Sequence, residues 1–398
     1  MSDAESVSRW ARAFVLASVG FLVGWSALEV AGIGRRVGVV LGLYGFVLHM
    51  VFGKAYSLVP SYFGRSLGAA WPLPFHLALT APGVALLAAG PVAGLPGLTA
   101  LGGGLWLGGV LVFVSTLLWT VRGNLAGVET GTSDANADRR GVDRFANAFI
   151  PVVLAYLLAG SYAVAAPGLG LPPVVDGYPP RATHLLAAGT AALLVFAVGF
   201  RLLPRFLVVR PATPLVWVVL PAGALGPALL AASVAARGAL FVAGAALEAI
   251  AVFGFSAAYV AMFVRSDRDR VGLYGPLAGV VAGSAAVLLG LRFALVGATA
   301  GLTALHLRFN LLGFLGLTIV GLAYQFYPPA VGSFPGASDR TALASILAIF
   351  AGLGAEAAGV LFSVPALGPL GRVLVLLGAL LYAGLILGLF NERYWSGS

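Results

Sequence analysis

The chain contains no cysteine, so disulfides, iron–sulfur clusters and thiolate chemistry of any kind are excluded. Histidine and methionine are almost as scarce, at four and three residues. Any metal or heme must therefore be held by those few side chains, by tyrosines or by carboxylates. Charge is the third shortage. Only 9% of residues are Asp, Glu, Lys or Arg, too few to clothe a protein of this size in a water-facing surface. No stretch is polar enough, for long enough, to fold as a soluble domain. The net charge of +9 is not gathered into a basic face of such a domain, so nucleic acid is not an expected partner.

What the chain has instead is apolar length. Hydrophobic residues make up 60% and the mean hydropathy is +1.00. Runs of about 20 apolar residues cross the hydrocarbon core as helices. The runs predict twelve spans, at 9–31, 36–60, 72–94, 98–121, 145–167, 182–206, 213–235, 239–264, 272–297, 301–327, 341–363 and 370–391. They are continuously apolar and do not alternate, which argues against a β-barrel. The first is too long for a signal-peptide core and is read as a span. The 55 glycines suit a bundle whose helices approach closely.

Basic residues orient the bundle. Fifteen arginines lie on one side of these spans and five on the other (Arg35, Arg36, Arg181, Arg237 and Arg372). The positive-inside rule then places both termini in the cytoplasm of a multi-pass protein in the cell membrane, with the lipid bilayer as its first partner. The stretch from Arg122 to Arg144 reads as a flexible cytoplasmic loop. The proline-rich stretch from Ala166 to Arg181 reads as an extended cap on the other side.

A segment recurs three times. Its copies end in Phe52-Gly-Lys-Ala-Tyr-Ser-Leu-Val-Pro60, Phe196-Ala-Val-Gly-Phe-Arg-Leu-Leu-Pro204 and Ile319-Val-Gly-Leu-Ala-Tyr-Gln-Phe-Tyr-Pro328. In each an aromatic (Tyr56, Phe200, Tyr324) precedes the proline by four residues, and a small residue (Gly53, Ala197, Gly321) lies three further upstream. His184 stands 20 residues before Pro204 and His306 stands 22 before Pro328. The copies fall in the second, sixth and tenth spans, which divides the chain into units 1–125, 140–270 and 271–398. A period of four spans is unlike the two six-helix halves of a major-facilitator transporter.

An all-α bundle of twelve transmembrane helices in three pseudo-symmetric four-helix arcs, with histidines on helices 6 and 10, resembles subunit I of the heme–copper oxidases, and the short C-family branch most of all. Helix 6 of that family has the form His-x19-Pro, as His184 to Pro204 does. Its helix 10 reads His-x-His-x4-Gly-[Trp/Phe]…Gly-x2-Tyr-x3-Pro. Here His306-Leu-Arg308-Phe-Asn310-Leu-Leu-Gly313-Phe314 continues to Gly321, Tyr324 and Pro328. By resemblance His306 would bind the high-spin heme and His184 the copper.

The departures concern the cofactors. The second helix-10 histidine, a low-spin heme ligand in the family, is Arg308, whose guanidinium offers iron no lone pair. Its helix-2 counterpart should lie between Gly38 and Val40, where there is no histidine; His49 is about three turns deeper. Helix 7 should supply two copper histidines, yet residues 225–237 contain none. The family's redox tyrosine has no counterpart there either. Copper is therefore not expected, and the resemblance leaves room for one b-type heme, on His306, with Arg308 holding a propionate.

Each candidate also has a plainer reading. His306 could be hydrogen-bonded within the bundle, and His184 solvated near the outer interface. His49 reads as packed, and His76, just after Pro72 and Pro74, as interfacial. Arg308 could pair with Glu29, Glu248 or Glu356, and Arg292 poses the same question. Glu248 and Glu356 could instead carry protons. Lys54 can snorkel to the interface. The leading expectation is an oxidase-like protein without full oxygen-reductase activity that binds one heme, to sense a gas or to assist other respiratory-chain subunits. The alternatives are a heme-free transporter or channel on the same scaffold, and a divergent terminal oxidase or nitric oxide reductase.

Overall fold

The computed structural model describes residues 3–395. Twelve helices in it are long and apolar enough to cross a bilayer, and among the described residues there is no strand. They are α1 (Ala4–Val30), α2 (Arg35–Tyr62), α3 (Pro72–Ala93), α4 (Pro96–Val121), α5 (Asp134–Leu169), α6 (Pro179–Leu207), α7 (Thr213–Ser233), α8 (Ala239–Val264), α9 (Val271–Leu295), α10 (Ala300–Val331), α11 (Asp339–Leu361) and α12 (Leu367–Tyr394). Local chemistry sets many of the ends. Proline opens α3, α4, α6 and α7, where its missing N–H costs nothing. Ser338 caps α11 by accepting from the Thr341 amide. Gly94 and Gly170 close α3 and α5 in the left-handed conformation.

Helices α2, α6 and α10 are the core. In their most apolar windows 83%, 72% and 72% of residues are buried, against no more than 50% in the other nine helices. Each touches the other two, and the outer helices follow one another around them: α1 meets α12, α4 meets α5 and α8 meets α9. All three core helices are wound as π-helix over long stretches, Val40–Leu48, Leu185–Ala192 and Phe309–Leu317. Such winding is rare, and it leaves carbonyls that a normal turn would use. The His49 Nδ1–H donates to the Tyr44 carbonyl at 2.8 Å and the Thr190 hydroxyl to the Leu185 carbonyl at 3.0 Å, each spanning five residues. Glycines let large neighbours reach the widened turns: a Cβ on Gly42 would meet Trp25, and one on Gly189 would meet Tyr156.

The stretch from Arg122 to Arg144 is not a loose loop. Its second half is helical, with a 3-10 turn at Asp134–Arg139 and a helix at Arg140–Asn147 that prefixes the apolar part of α5. Asp143 and Asn147 in it are buried.

Candidate functional site

The residues of the threefold repeat do packing work. A Cβ on Gly53 would stand 2.8 Å from the Ala11 carbonyl of α1, and one on Gly321 would stand 2.5 Å from the Gly272 carbonyl of α9. The small residue thus lets α2 and α10 close on the preceding helix in the chain. The aromatic three positions on reaches the following helix from α2 and α10, and in α6 Phe200 packs on Phe255 of α8. The Tyr56 hydroxyl lies 2.9 Å from His76 Nδ1 on α3, and the Tyr324 hydroxyl 2.7 Å from Ser345 Oγ on α11.

Of the candidate ligands, His306 is half-buried against α9. Its Nδ1–H donates to the Ala286 carbonyl at 2.9 Å, the Phe293 ring stands edge-on at 5.4 Å, and Nε2 faces the Asn310 side-chain amide at 3.3 Å. His184 donates from Nδ1 to the Pro180 carbonyl of its own helix at 2.8 Å. The π stretches of α6 and α10 touch, but no hydrogen bond or ring contact joins the two imidazoles. Among the described residues no three His, Asp or Glu side chains converge as a metal site.

Arg308 is buried and held by Glu356 of α11 in a bidentate pair, Nε to Oε2 at 3.0 Å and Nη2 to Oε1 at 2.6 Å. Its guanidinium carbon lies 5.2 Å from the Trp25 ring of α1. Trp25 Nε1–H in turn donates to Glu29 at 3.0 Å. Gly38 and Gly42 of α2 also pack against that indole, where an added Cβ would lie 3.2 Å from Trp25 Nε1 and 2.9 Å from its ring carbons, respectively. A tryptophan thus packs against both Gly38–Gly42 and Arg308, the positions where the resemblance to the oxidases would put low-spin heme ligands. The residues present do not fit the low-spin heme that the resemblance implies, since neither position offers iron a side-chain lone pair.

A high-spin heme on His306 is matched in one respect and opposed in another. The Nδ1–H bond to a carbonyl leaves the lone pair on Nε2, the arrangement that metal-bound histidines use. An iron there would have to displace the Asn310 amide, however. Glu356 takes Nε and Nη2 of Arg308 and leaves Nη1 without a partner. Further in, Phe196, Phe255 and Phe314 fill the space between α6, α8 and α10, with ring centroids 5.2–6.3 Å apart, and Gly223 and Gly283 make room for their edges.

His49 is packed as expected, fully buried on the Tyr44 carbonyl, but His76 and Arg292 depart from expectation. His76 is not interfacial: it is buried among Phe14, Phe52 and Phe113, because proline starts α3 inside the wall of the bundle. Arg292 is exposed and donates to the Gly297 carbonyl at the end of its own helix at 2.7 Å. The Glu248 Oε1 is buried with no hydrogen-bond partner, against Gly226 of α7.

Two charged clusters lie at the ends of the bundle. At the end carrying most of the arginines, the basic end, Asp143 accepts from Arg205 at 2.7 Å and from the Thr132 hydroxyl at 2.5 Å, with Arg201 Nε at 3.4 Å. Arg201 also donates to the Thr130 carbonyl at 2.9 Å and to Asn147 Oδ1, and its guanidinium lies 3.9 Å from the Tyr62 ring. The sequence signal for this knot is the Arg201/Arg205 pair four apart on one helix face, which reads equally well as positive-inside charge. Close by, Arg65 engages Glu129 and holds its carboxyl below the usual range. At the opposite end Asp176 takes both Nε and Nη2 of Arg181, at 2.6 and 2.7 Å. That pairing, then the Tyr178 amide, holds the Asp176 carboxyl well below its ordinary range. Arg181 also donates to the Ala231 and Ala232 carbonyls near the end of α7.

Lys54 does not snorkel to the surface. Its Nζ donates to the Tyr327 hydroxyl at 2.8 Å and sits 4.3 and 4.0 Å from the Phe326 and Tyr327 rings. It lines two cavities at once. One, of about 100 Å³, runs along the axis between α2, α6 and α10 and is almost wholly apolar. The other, of about 420 Å³, opens at the basic end among Ser8, Tyr56, Ser57, Arg65 and Tyr327.

Comparison with known proteins returned no match, neither with a family model nor with a curated protein.

Proposed function

We propose that the chain is a heme–copper oxidase subunit I-like membrane protein, three four-helix arcs around α2, α6 and α10, that works without a heme and does not reduce oxygen. The observation that carries this reading is Trp25, wedged between Gly38–Gly42 of α2 and Arg308 of α10, with Arg308 locked to Glu356. A side chain occupies the place through which electrons would enter. The equivalent packing of Gly53 and Gly321, the three π stretches and the mutual contact of the core helices support the three-arc arrangement. The working site on this reading is the axial cavity at the cytoplasmic end, and the protein binds or carries a small membrane-borne ligand there. Arg308, Glu248 and Glu356 are not among the residues lining either cavity.

The test is expression of the full chain in a heme-auxotrophic host. Equal yield and equal thermal stability with and without supplied heme are expected. Protein that accumulates only when heme is supplied would overturn the reading.

One observation favours a second reading, in which a single b-type heme sits on His306 and the protein binds a gas or assists respiratory-chain subunits. The Nδ1–H bond to Ala286 presents Nε2 as a ligand atom. A heme would supply a five-coordinate iron for a diatomic gas.

A further inference from the structure

We infer that the basic end of the α2–α6–α10 axis binds an anionic amphiphile with a single acyl chain, its headgroup at Lys54 and its tail in the axial cavity. This names a ligand class for the working site proposed above and rests on that reading of the cavity.

Three observations meet here. The first is the form of the space. An apolar cavity and a polar one adjoin, and Lys54 lines both. On α2 the apolar cavity extends from Met50 to Val59, roughly 14 Å at the helical rise of 1.5 Å per residue. Its other walls are Leu194 to Leu203 of α6 and Thr318 to Phe326 of α10. An extended medium-length acyl chain is close to that length.

The second is the charge at the junction. Lys54 has no carboxylate within ion-pair distance among the described residues; its partners are a hydroxyl and two aromatic rings. The other cation lining the outer cavity, Arg65, is already paired. Its partner is the Glu129 carboxylate. The aromatic rings stabilise the ammonium yet leave it free to take a carboxylate as a charge-assisted acceptor.

The third is the lining of the outer cavity. Ser8, Ser57 and Tyr327 line it, with the Tyr327 hydroxyl on the ammonium itself, and such a polar wall suits the oxygens of a headgroup. A purely apolar ligand would leave Lys54 unpaired, and a small inorganic anion would leave the axial cavity unfilled.

The experiment is equilibrium binding of radiolabelled laurate to the full chain in neutral maltoside micelles. Competitors are dodecanol (same tail, no charge), inorganic phosphate (charge, no tail) and dodecyltrimethylammonium (opposite charge). Expected are saturable binding of one laurate per chain, weak competition by all three, and an affinity lower by about tenfold or more in Lys54→Gln. Lys54→Arg should retain binding, and Val198→Phe, which fills the axial cavity, should lose it. Dodecanol competing as well as laurate would overturn the proposal, as would phosphate alone displacing it or Lys54→Gln binding as the parent does. If Lys54→Gln fails to fold, the competition series on the unmodified chain still decides. A heme found on His306 would end the cofactor-free reading without touching laurate binding. Absence of laurate binding in heme-free protein would end this inference alone.

Discussion

Glu356 receives two nitrogens of Arg308, at 3.0 and 2.6 Å, across the contact between α11 and α10. Arg308 is thereby a structural cross-link between the two helices. Both partners are buried, and Trp25 covers the guanidinium from α1.

A buried pair of this kind is expensive to break and cheap to replace. Glu356→Ala leaves a buried guanidinium without its carboxylate and should cost about 3–5 kcal/mol. The double variant Arg308→Met with Glu356→Leu should be near neutral or more stable, because it removes both desolvation costs. Thermal or denaturant unfolding in detergent measures both. Equal destabilisation by the single and double variants would contradict the cross-link.

The repeat glycines should be far less replaceable than other helical glycines. A Cβ on Gly321 would lie 2.5 Å from the Gly272 carbonyl and 2.8 Å from Gly275 Cα, so backbone must move. Gly321→Ala should therefore destabilise by about 1–3 kcal/mol. Gly354→Ala meets nothing within 4 Å and should be neutral or mildly stabilising. Unfolding midpoints of the two variants compare them directly.

The knot at the basic end should control access to residues 122–144. Asp143→Asn removes the charge that Arg201 and Arg205 share. Limited proteolysis should then cut this segment while sparing it in the parent. Unchanged protection would mean that the Asn147 and Asn124 bonds to the Tyr62 and Phe63 carbonyls, at 2.7 and 3.0 Å, suffice.

At the opposite end the Asp176–Arg181 clamp should respond only to strong acid. A carboxyl whose folded pKa is depressed contributes stability above its unfolded value, about 3.9, and that contribution is lost as pH falls through the folded value. Asp176 lies on the depressed side. Protection of residues 170–184 in hydrogen exchange, corrected for intrinsic rates, should stay level from neutral pH to about pH 4 and then fall. Asp176→Asn should show lower protection throughout and no acid fall.

The sequence disclosed the spans because hydropathy alone defines them, and it limited the partners of Arg308 to three carboxylates of which Glu356 is one. It hid what depends on direction rather than composition. Lys54 near a helix end is compatible with a snorkelling side chain, and only the position of Tyr327 turns it inward. His76 after two prolines looks interfacial until Phe14, Phe52 and Phe113 close over it. Asp143 in a polar stretch looks solvated, since nothing local announces that Arg201 and Arg205, about sixty residues on, will bury it. The π winding of α2, α6 and α10 leaves no trace in apolar periodicity, because it changes hydrogen-bond register without changing which residues are apolar.

The most direct test is an absorption spectrum, with iron and copper analysis, of the full chain purified from its native membrane. The account predicts no Soret band and neither metal in stoichiometric amount, with or without added heme. A Soret band that disappears in His306→Ala would contradict it and establish the heme-binding alternative.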